Sequence, residues 1–166
     1  ANTGHLILSS VHANDAPATL LRLMDLSAEP YALAEALLCF FSQRLARKLC
    51  SNCAKELRLS AEQSESLPTR FKGQTYYVMN EQGCDLCEGK GHKGRIPVFE
   101  MAFNNEDVRK AILERNMENV RQALFKQPAY RTLTEAALEM SAIAKMDFYD
   151  ALSITQQSSL PDMKDD

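Results

Sequence analysis

The sequence predicts an α/β protein that is mostly helical, with few strands and a cysteine-rich subdomain. Residues 6–11 form a continuous apolar run typical of a buried strand in a parallel sheet, and much of the remaining chain has apolar residues at helical spacing. Four of the five cysteines also fall into two identical pairs, Cys50/Cys53 and Cys84/Cys87. Because a buried strand needs neighbours, we expect the rest of its sheet to belong to an N-terminal portion outside this sequence.

Two helices are predicted between this strand and the first cysteine pair. Asn14-Asp15 supplies a helix cap, and the helix that follows is broken before Pro30. Pro30 then begins a longer helix that runs to the first cysteine pair. Its predicted apolar stripe consists of Leu33, Leu37, Phe40, Phe41, Leu45 and Leu49.

Residues 54–83, between the cysteine pairs, are predicted to be a loop with little hydrophobic core of its own. Thr75-Tyr76-Tyr77-Val78 indicates one short strand within it. After the second pair, three glycines allow tight turns, and residues 96–101 are predicted to form a strand that Pro97 places near a sheet edge.

The rest of the chain is predicted to be helical. The first helix begins at Asn105, where Glu106 and Asp107 suit a helix N-terminus, and residues 117–125 form the second. The third begins at a capping box, Thr132-Leu133-Thr134-Glu135, and the last begins at Asp147. The polar, acidic end of the chain is expected to be a flexible tail.

The two cysteine pairs have the spacing of a tetrahedral zinc site. A C-x-x-C pair turns both sulfurs toward one point, and two pairs supply the four thiolates that Zn²⁺ binds at about 2.3 Å. We therefore expect Cys50, Cys53, Cys84 and Cys87 to hold a structural zinc, while Cys39 fills a helix face. The alternatives are two disulfides or a redox C-x-x-C. The sequence shows no secretory signal that would indicate an oxidising compartment, which argues against the disulfides. A thioredoxin-type redox motif needs only one cysteine pair, which argues against the second alternative.

The composition argues against several functional classes. A chain with 45% hydrophobic and 25% charged residues is typical of a folded protein rather than a disordered one. The net charge of −3, about −5 with a ZnS₄ cluster, does not indicate a basic nucleic-acid surface. No apolar run approaches the roughly 20 residues of a membrane span, so we expect a soluble, cytoplasmic protein.

The order of short motifs resembles that of type II secretion and type IV pilus assembly ATPases. Residues 3–17 (TGHLILSSVHANDAP) resemble the stretch that contains this family's His box. The segments QRLARKLC (43–50), GHKGR (91–95), FEM (99–101) and TEAAL (134–138) follow in the family's order. The resemblance covers about residues 2–155. Retraction-type members usually lack the four cysteines, so their presence favours an assembly or secretion motor.

The resemblance implies a RecA-like P-loop ATPase that assembles as a homohexamer, binds ATP and Mg²⁺, and acts with inner-membrane platform proteins. It would be peripheral to the inner membrane through those partners, and no nucleic-acid partner is expected. Residues 1–49 would complete the ATPase core, 50–98 form the zinc subdomain, 99–157 form a C-terminal helical bundle, and 158–166 form the tail. This portion lacks both a G-x-x-x-x-G-K-[ST] loop and a Walker B strand end, so alone it is expected to be inactive.

His12 is the nucleotide-site candidate that the resemblance implies, and Arg44 is a second candidate. Arg44 lies three and four residues beyond Phe41 and Phe40 on the predicted helix, so it emerges beside the apolar stripe. His12 matches the His-box residue, placed where an imidazole can donate to a phosphate oxygen or water; a capping or core histidine is the alternative. His5 lies an odd number of positions away, so on a regular strand it faces the other side and is interpreted as structural. Arg44 would reach nucleotide or a neighbouring subunit, and the alternative is a solvated surface arginine.

A stand-alone zinc module that binds protein or nucleic acid is the alternative function. The basic residues near the cysteines could offset the ZnS₄ charge or meet an acidic partner, and ordinary solvated charges are the favoured interpretation; they are Arg47, Lys48, Lys93 and Arg95. The sequence lacks the interleaved aromatic residues that usually accompany such a surface in nucleic-acid-binding proteins.

Overall fold

The computed structural model describes residues 4–26 and 29–155, which contain α-helices and two small sheets. The elements are α1 (Ala16–Leu26), α2 (Pro30–Ala36), β1 (Cys39–Leu49), β2 (Lys55–Leu57), α3 (Ala61–Glu65), β3 (Tyr76–Val78), β4 (His92–Phe103), α4 (Glu106–Leu113), α5 (Met117–Phe125), α6 (Leu133–Ala142) and α7 (Phe148–Ser153). Short 3₁₀ helices occur at Thr69–Phe71 and Asp85–Cys87. The mixed helix and strand content confirms the coarse prediction of the fold class. The predicted tail lies outside the described residues.

The predicted buried strand at residues 6–11 is not present in this structure. The segment has no regular secondary structure, and Leu6 and Leu8 are 75% and 88% exposed. An isolated strand leaves its backbone N–H and C=O groups without ladder partners. In the described part of the chain, the two sheets pair only β1 with β4 and β2 with β3.

The long helix predicted from Pro30 to the first cysteine pair is also wrong. The helix α2 ends at Ala36, and the extended strand β1 follows. Phe40, Ser42 and Ala46 are buried along β1, whereas Phe41 and Leu45 are exposed, which is the alternation of a strand. The apolar residues fitted a helical stripe equally well, and pairing with β4 decides between the two patterns.

The two long strands β1 and β4 are antiparallel. The N–H of Asn104 donates to the carbonyl of Leu38 at 2.9 Å, and the N–H of Cys50 donates to the carbonyl of Gly91 at 2.9 Å, so the start of β1 meets the end of β4. The strand predicted around Pro97 is confirmed, although β4 extends beyond it in both directions. In the second sheet, β2 and β3 pair antiparallel from Lys55–Val78 to Leu57–Tyr76, which confirms the short strand predicted within the loop.

The chain divides into two compact units, and neither is continuous in sequence. Among the described residues, unit 1 lies within 1–43 and 99–132, and unit 2 lies within 44–98 and 133–166. Both β1 and β4 therefore contribute residues to both units. The units are interleaved because strand pairing joins segments that are distant along the chain.

Unit 1 packs helices α1, α2, α4 and α5 around one apolar core. Its largest buried side chains are Leu20, Phe40, Ile112, Leu124 and Tyr130. Local capping sets the helix starts, because the side chain of Asp15 accepts from the N–H of Ala18 and that of Asn105 accepts from the N–H of Val108. The cap at Asp15 and the start of a helix at Asn105 were predicted from the sequence.

Unit 2 packs helices α6 and α7 against the segment between the cysteine pairs. The buried side chains include Leu67, Phe71, Tyr76, Leu138 and Phe148. The first three of these come from the inter-cysteine segment, so the prediction that this segment has little core of its own is wrong. Its polar stretch also forms a helix, α3, which begins at a capping box between Ser60 and Gln63.

Candidate metal centre

The first cysteine pair lies at the end of β1. The N–H of Leu49 donates to the carbonyl of Lys145 at 3.0 Å, and Leu49 is buried. Cys50 follows directly and is held to Gly91 by its own backbone N–H. The chain then turns back on itself, because the N–H of Ala54 donates to the carbonyl of Cys50 at 3.1 Å. Strand pairing with β4 thus fixes where this pair begins.

The second pair forms a tight turn that ends just before β4. The N–H groups of Cys87 and Gly89 both donate to the carbonyl of Cys84 at 3.1 Å. Gly83 allows this turn, because a Cβ atom on it would lie 2.3 Å from the carbonyl carbon of Gly89. Gly91 is similarly constrained, with φ +69° and a hypothetical Cβ 2.5 Å from the Cγ of Met79 and 2.7 Å from the carbonyl oxygen of Asn80. Backbone packing therefore requires glycine at both positions.

The four sulfur atoms converge on one point. The Sγ atoms of Cys50, Cys53, Cys84 and Cys87 all lie within 4.8 Å of one another. The separations are 3.7 Å for Cys50–Cys84 and 3.8 Å for both Cys53–Cys87 and Cys84–Cys87. A tetrahedron with metal–sulfur bonds of about 2.3 Å has sulfur–sulfur edges of about 3.8 Å, so the donor set fits zinc. All four thiols are free, and Cys50 and Cys87 are buried.

The environment shifts the thiol pKa values in opposite directions. A hydrogen bond from the side chain of Asn52, with a further contribution from the backbone of Cys87, lowers the pKa of Cys84 to about 6. Burial, together with the neighbouring thiols, raises the pKa of Cys53 to about 12. Burial acts to raise the pKa of Cys87, but the backbone N–H groups around it lower the pKa overall. A metal that binds all four as thiolates must therefore displace protons.

Several contacts within unit 2 attach the inter-cysteine segment to the C-terminal helices. The N–H of Met79 donates to the Oδ2 of Asp147 at 2.7 Å, and the hydroxyl of Ser141 donates to the carbonyl of Tyr77 at 3.3 Å. Asp147 also caps α7 through its Oδ1 atom. The metal centre is thus built on a segment that hydrogen bonds fix to α6 and α7.

The other predicted site residues lie elsewhere. His12 and His5 are exposed in the irregular segment before α1, in unit 1. Arg44 is half-buried in β1, in unit 2. Cys39 is exposed at the start of β1 rather than packed on a helix face.

Sequence reasoning missed two residues that contribute to the centre. Asn52 lies between the first two cysteines, and its side chain donates to the sulfur of Cys84 at 3.4 Å. Nothing in a C-x-x-C pattern indicates which intervening residue reaches the other pair. Asp147 was predicted as a helix start, but its bond to Met79 joins positions far apart in the chain and has no local signal.

The fold and the site define an α/β protein with a tetracysteine metal-ligand set. No helix in the described residues is both long and apolar enough to cross a membrane. The chain belongs to the type II/IV secretion system protein family, whose family model matches residues 1–153. The resemblance inferred from the motifs is therefore confirmed.

Individual relatives agree with this assignment. The chain is 39% identical over 110 residues to type II secretion system protein E of Pectobacterium carotovorum, covering 66% of this chain and 22% of the relative. It is 34% identical over 149 residues to the type IV pilus assembly ATPase PilB of Myxococcus xanthus, covering 88% and 25%. Type II secretion system protein E of Klebsiella pneumoniae is 31% identical over 155 residues, covering 93% and 30%. The chain thus spans less than a third of the length of each of these relatives.

Proposed function

We propose that this chain is the C-terminal part of a hexameric ATPase that powers type IV pilus assembly or type II protein secretion. The observation that carries the proposal is the family match over residues 1–153, in agreement with relatives named for both systems. In this proposal residues 1–49 complete a RecA-like core, and residues 99–157 form a C-terminal helical bundle that follows the zinc subdomain, residues 50–98. The motor acts in the cytoplasm against platform proteins of the inner membrane.

The metal part of the proposal is a structural zinc held by Cys50, Cys53, Cys84 and Cys87. Its support is the convergence of the four sulfurs at tetrahedral spacing. Four thiolates leave no open coordination position, so the metal restrains the chain rather than activating water. Bound zinc would tie the end of β1 to the start of β4 and close the intervening segment.

Metal analysis tests the zinc clip directly. After dialysis against a weak chelator, we expect one zinc per chain in the wild type and none in Cys84→Ser. The zinc-free variant should be cut faster by trypsin at basic residues of the inter-cysteine segment, such as Lys55 and Arg70. Cys39→Ser is the matched control and should keep its zinc, because Cys39 lies outside the cluster. A folded, zinc-free wild type with the same trypsin pattern as Cys84→Ser would refute the clip.

The ATPase part of the proposal concerns the complete motor. There, His12 senses or assists hydrolysis at the terminal phosphate of ATP bound with Mg²⁺, and Arg44 contacts nucleotide or the adjacent subunit. In the full-length protein, His12→Ala should lower ATP turnover by about 10²-fold, the usual contribution of a positioned proton donor or acceptor. His5→Ala is the control and should retain turnover. Equal turnover in the two variants would contradict the assignment of His12.

A further inference from the structure

The four sulfurs of the metal centre differ in the donors that surround them. The sulfur of Cys87 accepts two backbone N–H groups, from Cys84 and Gly91, each at 3.2 Å. Cys84 is partly exposed, and within the described residues the donor it receives from outside the cysteine cluster is the Nδ2 of Asn52 at 3.4 Å. The backbone N–H donors to Cys87 remain when a side chain is replaced. The donor to Cys84 is lost if Asn52 is replaced by a residue without an amide.

The hydrogen bond from Asn52 connects the two cysteine pairs. Asn52 lies in the first cysteine pair and Cys84 in the second, so the bond spans the two pairs independently of any metal. Because Asn52 is exposed and sulfur is a weak acceptor, this bond alone contributes little to holding the two pairs together. Its contribution is geometric, because the Sγ atom that it contacts is one of the four that converge within 4.8 Å of one another.

We propose that Asn52 is a positioning residue for the metal centre, orienting the sulfur of Cys84 toward the metal. The inference rests on the proposed zinc clip and goes beyond it by naming a residue outside the ligand set that determines zinc affinity. Hydrogen-bond partners of metal ligands typically change metal affinity by about 10- to 100-fold when removed. Asn52→Ala should weaken zinc binding to this extent.

Two further variants test whether the loss of zinc affinity comes from the missing Asn52 donor or from any substitution in this turn. Asn52→Asp keeps the size of the side chain but removes the N–H donor and places a negative charge beside the thiolate, so it should weaken zinc binding more than Asn52→Ala. Ser51→Ala is the matched control, because Ser51 is an exposed neighbour in the same turn. Its affinity should equal that of the wild type.

The experiment is a zinc competition titration of the full chain and its three variants against a chromophoric chelator. A second readout is the rate at which iodoacetamide alkylates Cys84 in the zinc-loaded protein, which should rise in Asn52→Ala as the sulfur loses its donor. Far-ultraviolet circular dichroism of each zinc-loaded variant checks that the fold is retained.

Each outcome decides the proposal. The proposal is supported if Asn52→Ala binds zinc more weakly than the wild type, Asn52→Asp binds it more weakly still, and Ser51→Ala binds it as the wild type does. Wild-type affinity and alkylation rate in Asn52→Ala would overturn it while leaving the zinc clip intact, as would an equal loss in Ser51→Ala. A wild type that binds no zinc would overturn the clip itself, and this result is distinguishable because all four proteins would then lack metal.

Discussion

Replacing Asp147 with Ala should destabilise the protein more than an ordinary helix-cap mutation. Its Oδ1 atom accepts from the N–H groups of Tyr149 and Asp150, and losing such a cap costs about 1 kcal/mol. Its Oδ2 atom accepts from the N–H of Met79, and a hydrogen bond to a charged group contributes about 1.5–3 kcal/mol. Asp147 is buried, so water does not readily replace either bond. The expected loss is therefore about 2.5–4 kcal/mol.

Two further variants divide this loss into its parts. Asp147→Asn keeps an oxygen for the cap but turns an amide toward Met79, so it should lose only the second contribution. Asn116→Ala is the matched cap control, because Asn116 accepts from two N–H groups at the start of α5 in the same way and should cost about 1 kcal/mol.

Urea unfolding followed by circular dichroism at 222 nm is the appropriate assay, since the chain contains no tryptophan. The free energy of unfolding should fall least in Asn116→Ala and most in Asp147→Ala. If Asp147→Ala lost no more stability than Asn116→Ala, the bond to Met79 would not contribute to the attachment of the inter-cysteine segment.

Two other changes have expected outcomes. Gly91→Ala should lower the free energy of unfolding by at least about 1 kcal/mol more than Gly94→Ala, because a Cβ at Gly91 meets the side chain of Met79 whereas the space at Gly94 is open, and both have positive φ. Equal losses in urea unfolding would show that the turn relaxes. Burial raises the pKa of Tyr76, whose hydroxyl donates to the carbonyl of Phe71 at 2.7 Å. The protonated hydroxyl of Tyr76 therefore contributes its full stabilisation of the folded protein below the unfolded-state pKa of about 10. This contribution is lost as the pH rises through the raised pKa of the folded state. Tyr76→Phe should cost about 1 kcal/mol at pH 8 and weaken this alkaline loss; an unchanged stability difference from wild type at pH 11 would contradict the assignment.

Local interactions account for the parts of the fold that were predicted correctly. Asp15, Asn105 and Asp147 cap helices through N–H groups two or three residues away, so a short window of sequence contains the whole interaction. The strand β1 could not be predicted in this way. Its apolar residues fit both the helical repeat of 3.6 residues and the strand repeat of two residues. Its partner β4 lies beyond the second cysteine pair. A pattern within β1 cannot reveal which distant segment pairs with it.

The candidate site shows the same division. The spacing of the cysteines was sufficient to predict that four sulfurs would converge, because each C-x-x-C pair is a local turn. The donor from Asn52 depends on how the first pair faces the second, which only the folded arrangement determines. His12 was named through a family resemblance, and Arg44 from its position on a predicted helix that is the strand β1 in the structure. The roles of both residues stay predictions.

Each unit is built from two separate segments of the chain, and this affects the order in which the protein can fold during synthesis. A ribosome releases the chain from the N-terminus, so residues 1–43 must wait for residues 99–132 before the core of unit 1 can close. Unit 2 waits in turn for its helices α6 and α7. All four cysteines, by contrast, have emerged once Cys87 is outside the exit tunnel. In the proposed zinc-bound form, all four ligands are therefore available before either core can close, so metal binding can precede the completion of both units.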